Sequence, residues 1–485
     1  MIYNSSIFLL YFLPGSLIIY YLLDRRFRNL FLLLISLFFY AWGAPKFVFI
    51  VIASVLTDFL IIRKMAGTEG FPRKLLFWLS IILNIGILLY FKYMNFFADQ
   101  FAIVLKAIGS KPGTWTQLIM PLGISFITFQ KLAYTFDVKK RTTIPFKKLQ
   151  DYALYIFMFP QLLSGPIVRP GQIAGQIRNR EENETADLRL TGFYRFMIGL
   201  AKKVLIADVL AVYVNQVFSL NSLELSSGLA WAGAFAYTFQ IYFDFSGYTD
   251  MAIGLGLLLG FKLPENFNNP YISGSITEFW KRWHITLSTW LRDYVFLPLA
   301  YSISRALPKE KYLNLRADKV IYLIATSVTF LLCGFWHGAA WTFILWGVYQ
   351  GIFLILDRLF LLKYLKKAGK VPAIIITFLV IVIGWVLFRS HNIDYFYFFI
   401  RRMFSFQSLS NNVWLDTKFW TMFGIAVFFS FWGGLRGIEN WQKKLFMEPG
   451  NKLLITFTIL AILLFVLCET TISTTGFSPF IYFRF

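Results

Sequence analysis

Three histidines are the first candidates for chemistry in this sequence, because an imidazole can accept or donate a proton near neutral pH. His391 lies in the polar segment FRSHNID after an apolar stretch, and we interpret it as an exposed loop residue. His337 is the one side chain that ordinarily titrates near neutral pH among the 37 residues from Val320 to Leu356. Ionisable residues inside apolar spans are costly and mark functional sites by default. His337 is therefore our first candidate for general-base or acyl-transfer catalysis.

The surroundings of His337 predict a turn between two helices or a break within the membrane. It lies 18 residues after Lys319 and 20 residues before Asp357, which is about the length of one span on each side. Small neighbours leave space for a closely approaching helix or a slender substrate chain; they are Gly334, Gly338, Ala339 and Ala340. A histidine that only packs helices together is the alternative.

His284 is the second candidate, and it lies in a segment with helical periodicity. The segment 278–299, EFWKRWHITLSTWLRDYVFLPL, predicts one amphipathic helix that is too charged to span a membrane. Its apolar face comprises Trp280, Trp283, Leu287, Trp290, Leu291 and Tyr294, and its charged face Glu278, Lys281, Arg282, Arg292 and Asp293. His284 falls within the aromatic face. Spacing alone fits equally well a core histidine bonded to a backbone carbonyl.

No other group of residues competes with these histidines. Cys333 and Cys468 both lie in apolar segments, so we predict neither a disulfide framework nor a bound metal. The sequence contains no Gly-rich phosphate loop and no HExxH motif. Asp244 and Asp250, in YFDFSGYTD, have no obvious basic partner, and we interpret them as structural hydrogen-bond acceptors. By composition, Tyr482 in the segment SPFIYFRF is typical of an interfacial anchor.

The elements that must position these residues are membrane helices. Hydrophobic residues make up 58% of the 485-residue chain and charged residues only 15%, whereas soluble domains carry about 25% charged residues. We predict an all-α polytopic membrane protein with about eleven crossings, further apolar stretches being re-entrant or interfacial. The thirteen apolar stretches are roughly 7–23, 29–42, 45–62, 75–95, 118–136, 151–168, 191–218, 229–260, 320–336, 339–356, 372–388, 419–435 and 452–468. No repeat or long linker divides residues 1–485, so we expect one transmembrane domain.

The net charge of +22 comes from basic groups between apolar stretches, which indicates cytoplasmic loops rather than a nucleic-acid partner. A cluster of basic residues follows the first apolar stretch and another follows the third, and we expect both to face the cytoplasm, which places the N-terminus outside. The clusters are Arg25, Arg26 and Arg28, and then Arg63, Lys64, Arg73 and Lys74. Two more flank the segment around His337, namely Lys309, Lys311, Arg316 and Lys319, and then Lys363, Lys366, Lys367 and Lys370. If both face the cytoplasm, the hairpin between them places His337 toward the far side of the bilayer.

Long blocks of the sequence resemble the membrane-bound O-acyltransferase (MBOAT) family, in the bacterial branch typified by the alginate O-acetylation membrane protein. The blocks are EFWKRWHITLSTWLRDYVFLPL at 278–299, CGFWHGAAW at 333–341, PLGISFITFQ at 121–130, FPQLLSGPIVRP at 159–170, YFDFSGYTDMAIGLGLLLGFKLPENFNNPY at 242–271, GWVLFR at 384–389 and FIYFRF at 480–485. The resemblance covers nearly the whole chain.

The resemblance implies the MBOAT fold, with a central tunnel through a locally thinned region of membrane. His337 matches the catalytic histidine of the family, and His284 matches its second essential polar position. The implied activity moves an acetyl group from cytoplasmic acetyl-CoA, a donor substrate rather than a permanently bound cofactor, across the cytoplasmic membrane. An SGNH-type acetyltransferase partner then transfers it to an exported or cell-wall polysaccharide.

The terminal aromatic motif at 480–485 adds a second possible role for Tyr482. In this branch the tyrosine of that motif resembles a covalent acyl carrier. A phenol has an unperturbed pKa of about 10, so an acetyl-tyrosine is an activated ester that keeps its transfer potential. His337 would act as the base in a two-step transfer through this ester.

Two alternatives to acetyl transfer stay open at this point. The first is D-alanyl transfer to teichoic acid; the resemblance disfavours it because such systems are shorter and carry the aromatic motif on a separate small protein. The second is a transporter or flippase without covalent chemistry. That class predicts internal repeats and intramembrane acid pairs, and the sequence has no repeats.

Overall fold

The computed structural model describes residues 1–111, 113–163, 165–221, 223–312, 315–408, 413–435, 437–438, 451–476 and 478–481. Tyr482 and the rest of the motif at 482–485 lie outside the described residues. The chain divides into two compact units, one of residues 1–193 and 251–264 and the other of residues 194–250 and 265–485. The expectation of one transmembrane domain stays a prediction.

Helices dominate both units. In chain order the α-helices of the first half are α1 (Leu13–Leu22), α2 (Arg25–Gly43), α3 (Val48–Ala66), α4 (Gly70–Leu88), α5 (Met94–Ala107), α6 (Ile124–Lys140), α7 (Leu149–Phe157), α8 (Phe159–Leu162), α9 (Pro170–Arg178), α10 (Ala186–Ala201), α11 (Asp208–Val217) and α12 (Ser227–Leu258). Short π-helical turns at Phe8–Phe12, Leu89–Tyr93 and Lys202–Ala207 adjoin these helices, and Glu181–Asn183 is a 3₁₀ turn.

The second half continues with α13 (Ile276–Arg282), α14 (Ile285–Leu291), α15 (Leu297–Ala306), α16 (Ala317–His337), α17 (Trp341–Leu356), α18 (Leu362–Ala368), α19 (Lys370–Arg389), α20 (Ile393–Met403), α21 (Thr417–Phe431) and α22 (Asn451–Thr475). Its π-helical turns are Arg292–Phe296 and Asp357–Leu361, and its 3₁₀ turns Pro270–Ile272 and Trp432–Gly434. One small hairpin pairs β1 (Lys311–Tyr312) antiparallel with β2 (Leu315–Arg316).

Local sequence explains where several of these helices begin. A side-chain oxygen of Asp24, Ser275, Asn392 or Asp416 accepts the backbone N–H of a residue two or three positions further on. Each such N-cap satisfies a backbone donor that the first helical turn leaves without a partner.

Five helical stretches among the described residues are long and apolar enough to cross a membrane, and Phe8–Leu22 is a shorter apolar helix. The five are Gly70–Ala107, Ala317–His337, Trp341–Ala368, Lys370–Arg389 and Leu454–Thr475. Of the predicted apolar stretches, 151–168 contains only the nine-residue α7 and the four-residue α8, which are too short to cross. The total of about eleven crossings stays a prediction.

One buried acidic side chain of the first unit, Asp58, receives hydrogen bonds from neighbouring helices. The carboxylate of Asp58 on α3 is fully buried and accepts hydrogen bonds from Ser80, Asn84 and Tyr152 at 2.6–2.9 Å. An unpaired charge is costly in an apolar interior. These hydrogen bonds therefore stabilise the packing of α3 against α4 and α7.

Candidate active site

His337 is the last residue of α16, and three aromatic rings surround it. Its imidazole is only 4% exposed, and its ring centre lies 4.8 Å from Trp336, 4.9 Å from Trp346 and 5.3 Å from Phe388. The contacts with Trp346 and Phe388 are nearly perpendicular, a geometry that aromatic pairs favour. The sequence prediction of a turn at His337 is confirmed, because α17 begins four residues later at Trp341.

Glycines bring the backbones of α16 and α17 together beside this histidine. A Cβ atom on Gly334 would lie 2.9 Å from Cα of Gly347 and closer still to the carbonyl oxygen of Phe343. Such an approach is open only to glycine, as in the close helix pairs of membrane proteins. Gly334, one of the small residues near His337, therefore serves the close-approaching helix that the sequence predicts.

His284 lies at a break between two short helices, so the prediction of one continuous helix over 278–299 is wrong. α13 ends at Arg282 and α14 starts at Ile285, with His284 in a left-handed backbone conformation at φ 42°. The cause is tertiary hydrogen bonding that replaces helical bonds. The N–H of Ile285 donates to the carbonyl of Asn266 at 2.9 Å, and the carbonyl of Arg282 accepts from Asn268 at 2.9 Å.

The predicted apolar face of this segment is nevertheless buried. All six of its apolar residues are at most 7% exposed. Among the charged positions, Lys281 and Arg292 are exposed, and Glu278, Arg282 and Asp293 are half-buried. Hydrophobic periodicity therefore identified the correct faces although the backbone path is broken.

The hydrogen bonds of Asn266 fix the tautomer of His284. The backbone N–H of Thr286 can only donate, and it points at the side-chain Oδ1 of Asn266 at 3.2 Å. The atom that faces Nδ1 of His284 at 3.1 Å is that same oxygen, so Nδ1 carries the proton and Nε2 holds the lone pair. His284 is fully buried, and burial lowers its pKa to about 3. It is therefore a neutral imidazole whose Nε2 can accept a hydrogen bond but is a weak base.

The structure brings His284 and His337 to one aromatic cluster. The ring of Trp336 lies 4.8 Å from His337 and 6.3 Å from His284, measured between ring centres. A buried imidazole such as that of His337 can accept the proton of a hydroxyl or thiol group while bulk water is kept away, and the neutral imidazole of His284 can accept a hydrogen bond beside it. This is the kind of chemistry that acyl transfer needs.

The prediction for His391 is also confirmed: it is exposed in the turn before α20, where its ring contacts Tyr395 at 4.5 Å. It lies apart from the cluster in sequence and has none of the burial of the other two histidines. Among the described residues, no group of three or more His, Cys, Asp or Glu side chains is placed to hold a metal ion.

Asp244 and Asp250 do have basic partners, which corrects the interpretation from sequence. Lys203 donates to the carboxylate of Asp244, and both side chains are at most 3% exposed. Asp250 accepts from Lys202 at 2.6 Å and from Arg195 at 2.8 Å. The partners were hidden because they come from an apolar stretch about 40–55 residues earlier. The pair Lys202-Lys203 inside that stretch was the available signal.

Sequence reasoning also missed Asn266 and the aromatic neighbours of His337. Asn266 lies in a non-helical segment with no periodicity to single it out, yet it bonds His284 and Thr286. Trp346 and Phe388 come from α17 and α19 and reach His337 only through tertiary packing.

Comparison with known proteins places the chain among acyltransferases. A sequence profile described as the membrane-bound O-acyltransferase family matches residues 75–400. The "Probable alginate O-acetylase AlgI" of Azotobacter vinelandii is 40% identical over 84% of this chain and 78% of its own. The "Peptidoglycan O-acetyltransferase" of Helicobacter pylori is 36% identical over 81% of this chain and 78% of its own. The "Teichoic acid D-alanyltransferase" of Bacillus subtilis is 31% identical over 56% of this chain and 69% of its own. The buried histidine cluster thus lies in a chain that belongs to the membrane-bound O-acyltransferase family.

Proposed function

We propose that this multi-pass membrane acyltransferase transfers an acetyl group, and that its product is an O-acetylated exported or cell-wall polysaccharide. The observation that carries the proposal is the pairing of His337 and His284 through Trp336 in a buried aromatic cluster. The proposed donor is acetyl-CoA, which acts as a substrate.

His337 is proposed as the general base. It accepts the proton of a hydroxyl group as that oxygen attacks the thioester carbonyl, and the tetrahedral intermediate then collapses. The carbon–sulfur bond breaks, the thiol leaves with a proton, and the acyl group stays on oxygen as an ester. His284, neutral and with its lone pair on Nε2, is proposed to orient or relay protons in the same cluster.

Tyr482 is proposed as the oxygen that first receives the acetyl group. Its phenol is a better leaving group than an alkyl alcohol, because its unperturbed pKa is about 10. The acetyl-tyrosine would pass the group to the serine of an extracytoplasmic SGNH-type partner, and that partner would acetylate the polymer.

The direction of transfer is proposed to be outward across the cytoplasmic membrane, with the N-terminus outside. The basic clusters between apolar stretches support this orientation. They would also attract the negatively charged nucleotide end of coenzyme A to the cytoplasmic face.

Acetyl is favoured over D-alanyl by the pattern of relatives. The two acetylating relatives align over 84% and 81% of this chain, whereas the D-alanyltransferase aligns over 56% at lower identity. D-alanyl transfer is the second candidate on the strength of that more distant likeness.

The proposal is tested by supplying purified protein in vesicles with labelled acetyl-CoA or with a D-alanyl carrier thioester. We expect label from acetyl-CoA on the protein and on an added partner. Label from the D-alanyl thioester alone would replace acetyl with D-alanyl, and label from neither would reject both.

A further inference from the structure

The C-terminal segment 478–481 is packed tightly against α12. Phe480 is fully buried, and its ring stacks on Tyr248 at 4.6 Å with an angle of 22° between the ring planes. The same ring lies 5.4 Å from Phe245. Ile481 is 7% exposed. Two of the four residues of this short segment are therefore buried.

Polar contacts fix the backbone of this segment. The N–H of Ile481 donates to Oδ2 of Asp244 at 2.9 Å, and the other carboxylate oxygen of Asp244 accepts from Nζ of Lys203. Lys203 also donates to Asp208 at 2.6 Å and reaches the carbonyl of Pro479 at 3.5 Å. The buried pair of Lys203 and Asp244 therefore makes two contacts with this four-residue segment. Asp244 accepts the N–H of Ile481, and Lys203 reaches the carbonyl of Pro479.

The carboxylate of Asp244 does more than join two helical segments through Lys203, because it also binds the segment 478–481. Asp250 lies on the same helix, about 1.7 turns after Asp244, and it pairs with Lys202 and Arg195. Among the described residues, no hydrogen bond joins Asp250 to the segment 478–481. A charged side-chain carboxylate binds a backbone N–H more strongly than a neutral acceptor does, so Asp244 is suited to hold a segment that lacks helical bonds.

We propose that Asp244 and Lys203 are positioning residues that dock the segment 478–481 beside the histidine cluster, and that acyl transfer through Tyr482 depends on this docking. Phe245 links the docked segment to the histidine cluster, because its ring lies 5.4 Å from Phe480 and 4.7 Å from His284. The part of this inference that concerns Tyr482 rests on the proposed function; the docking does not.

The docking is tested by hydrogen–deuterium exchange of the full-length protein in detergent, followed on peptides that contain Ile481. In Asp244→Ala the amide loses its acceptor, and we expect exchange to be at least about tenfold faster than in the wild type. The matched control is Asp250→Ala, which breaks the neighbouring ion pair on the same helix and should leave exchange at Ile481 unchanged.

A second variant separates docking from the burial of an unpaired charge. Lys203→Met combined with Asp244→Asn removes both charges but keeps an amide oxygen to accept the N–H of Ile481. We expect this double variant to stay folded and to retain slow exchange at Ile481. Unchanged exchange in Asp244→Ala, or equally fast exchange in Asp250→Ala, would overturn the docking.

Transfer kinetics test whether acetyl transfer depends on the docking of segment 478–481. Asp244→Ala should lower kcat for acetyl transfer at least about tenfold with KM for acetyl-CoA unchanged, and the double variant should recover most of it. Equal kcat in Asp244→Ala and the wild type would contradict the positioning role. If Tyr482→Phe is fully active, the carrier role fails while the exchange result still decides the docking.

Discussion

Among single residues, His337 is the one on which the proposed acetyl transfer depends most. Replacing it with Ala or Gln removes the general base from the aromatic cluster, and we expect acetyl transfer to fall at least about a hundredfold. His391→Ala is the matched control, because that histidine is exposed and should keep wild-type activity. Transfer from labelled acetyl-CoA and elution in size-exclusion chromatography would be measured together. Near-normal transfer by folded His337→Gln would remove His337 from the mechanism.

His284 gives a prediction on stability and pH. Its pKa is lowered from 6.5 to about 3 in the folded protein, so below pH 6.5 the unfolded chain binds a proton that the folded chain excludes. The stability that comes from the neutral imidazole is complete above pH 6.5 and declines as the pH falls, by about 1.4 kcal/mol per unit.

The variant His284→Asn tests this, because Asn tolerates the left-handed backbone at this position and does not titrate. Denaturant unfolding at about pH 7.5 and about pH 5.5 should give the wild type an extra loss of roughly 1.4 kcal/mol relative to the variant. Equal losses in the two proteins would mean that His284 is protonated when folded. Transfer by the variant should also be strongly reduced if His284 serves the reaction.

At the scale of elements, the crossing of α16 and α17 controls where His337 lies. In Gly334→Ala the new methyl group would meet the backbone of Gly347 and Phe343, so the helices must separate. We expect a loss of about 1–3 kcal/mol in the free energy of unfolding together with reduced transfer. Gly424→Ala on α21 meets no atom within 4 Å and should change stability by less than about 1 kcal/mol. Similar values for the two variants would show that the close crossing is unimportant.

An element can be predicted from the sequence when its hydrogen bonds are made within its own segment. The hairpin at His337 is predictable because its helices are uncharged over 37 residues and their hydrogen bonds are local. The break at His284 is not, because Asn266 and Asn268 supply the replacing hydrogen bonds from another segment. Likewise the apolar face of 278–299 is visible as periodicity, whereas the ion pair of Lys203 and Asp244 depends on two distant helices packing together.

For the whole molecule, composition and basic loops predict a polytopic helical membrane protein, and the family match agrees with that, as do five long apolar helical stretches in the part of the chain that the structure describes. The sidedness of the chain yields a further test. If the donor enters from the cytoplasm, labelled acetyl-CoA added outside inverted vesicles should label the protein, and right-side-out vesicles should stay unlabelled. Labelling from the outer face alone would reverse the proposed orientation.

The proposed relay passes an acetyl group from a thioester to a phenol, with His337 as the base. Intact-peptide mass spectrometry is the most direct test of this relay. Purified wild-type protein would be incubated with acetyl-CoA, without partner, and its C-terminal peptide compared with those of His337→Ala and Tyr482→Phe. We expect an adduct of about 42 Da on Tyr482 in the wild type and in neither variant. Full polymer acetylation by Tyr482→Phe, with no adduct on the wild-type peptide, would contradict it.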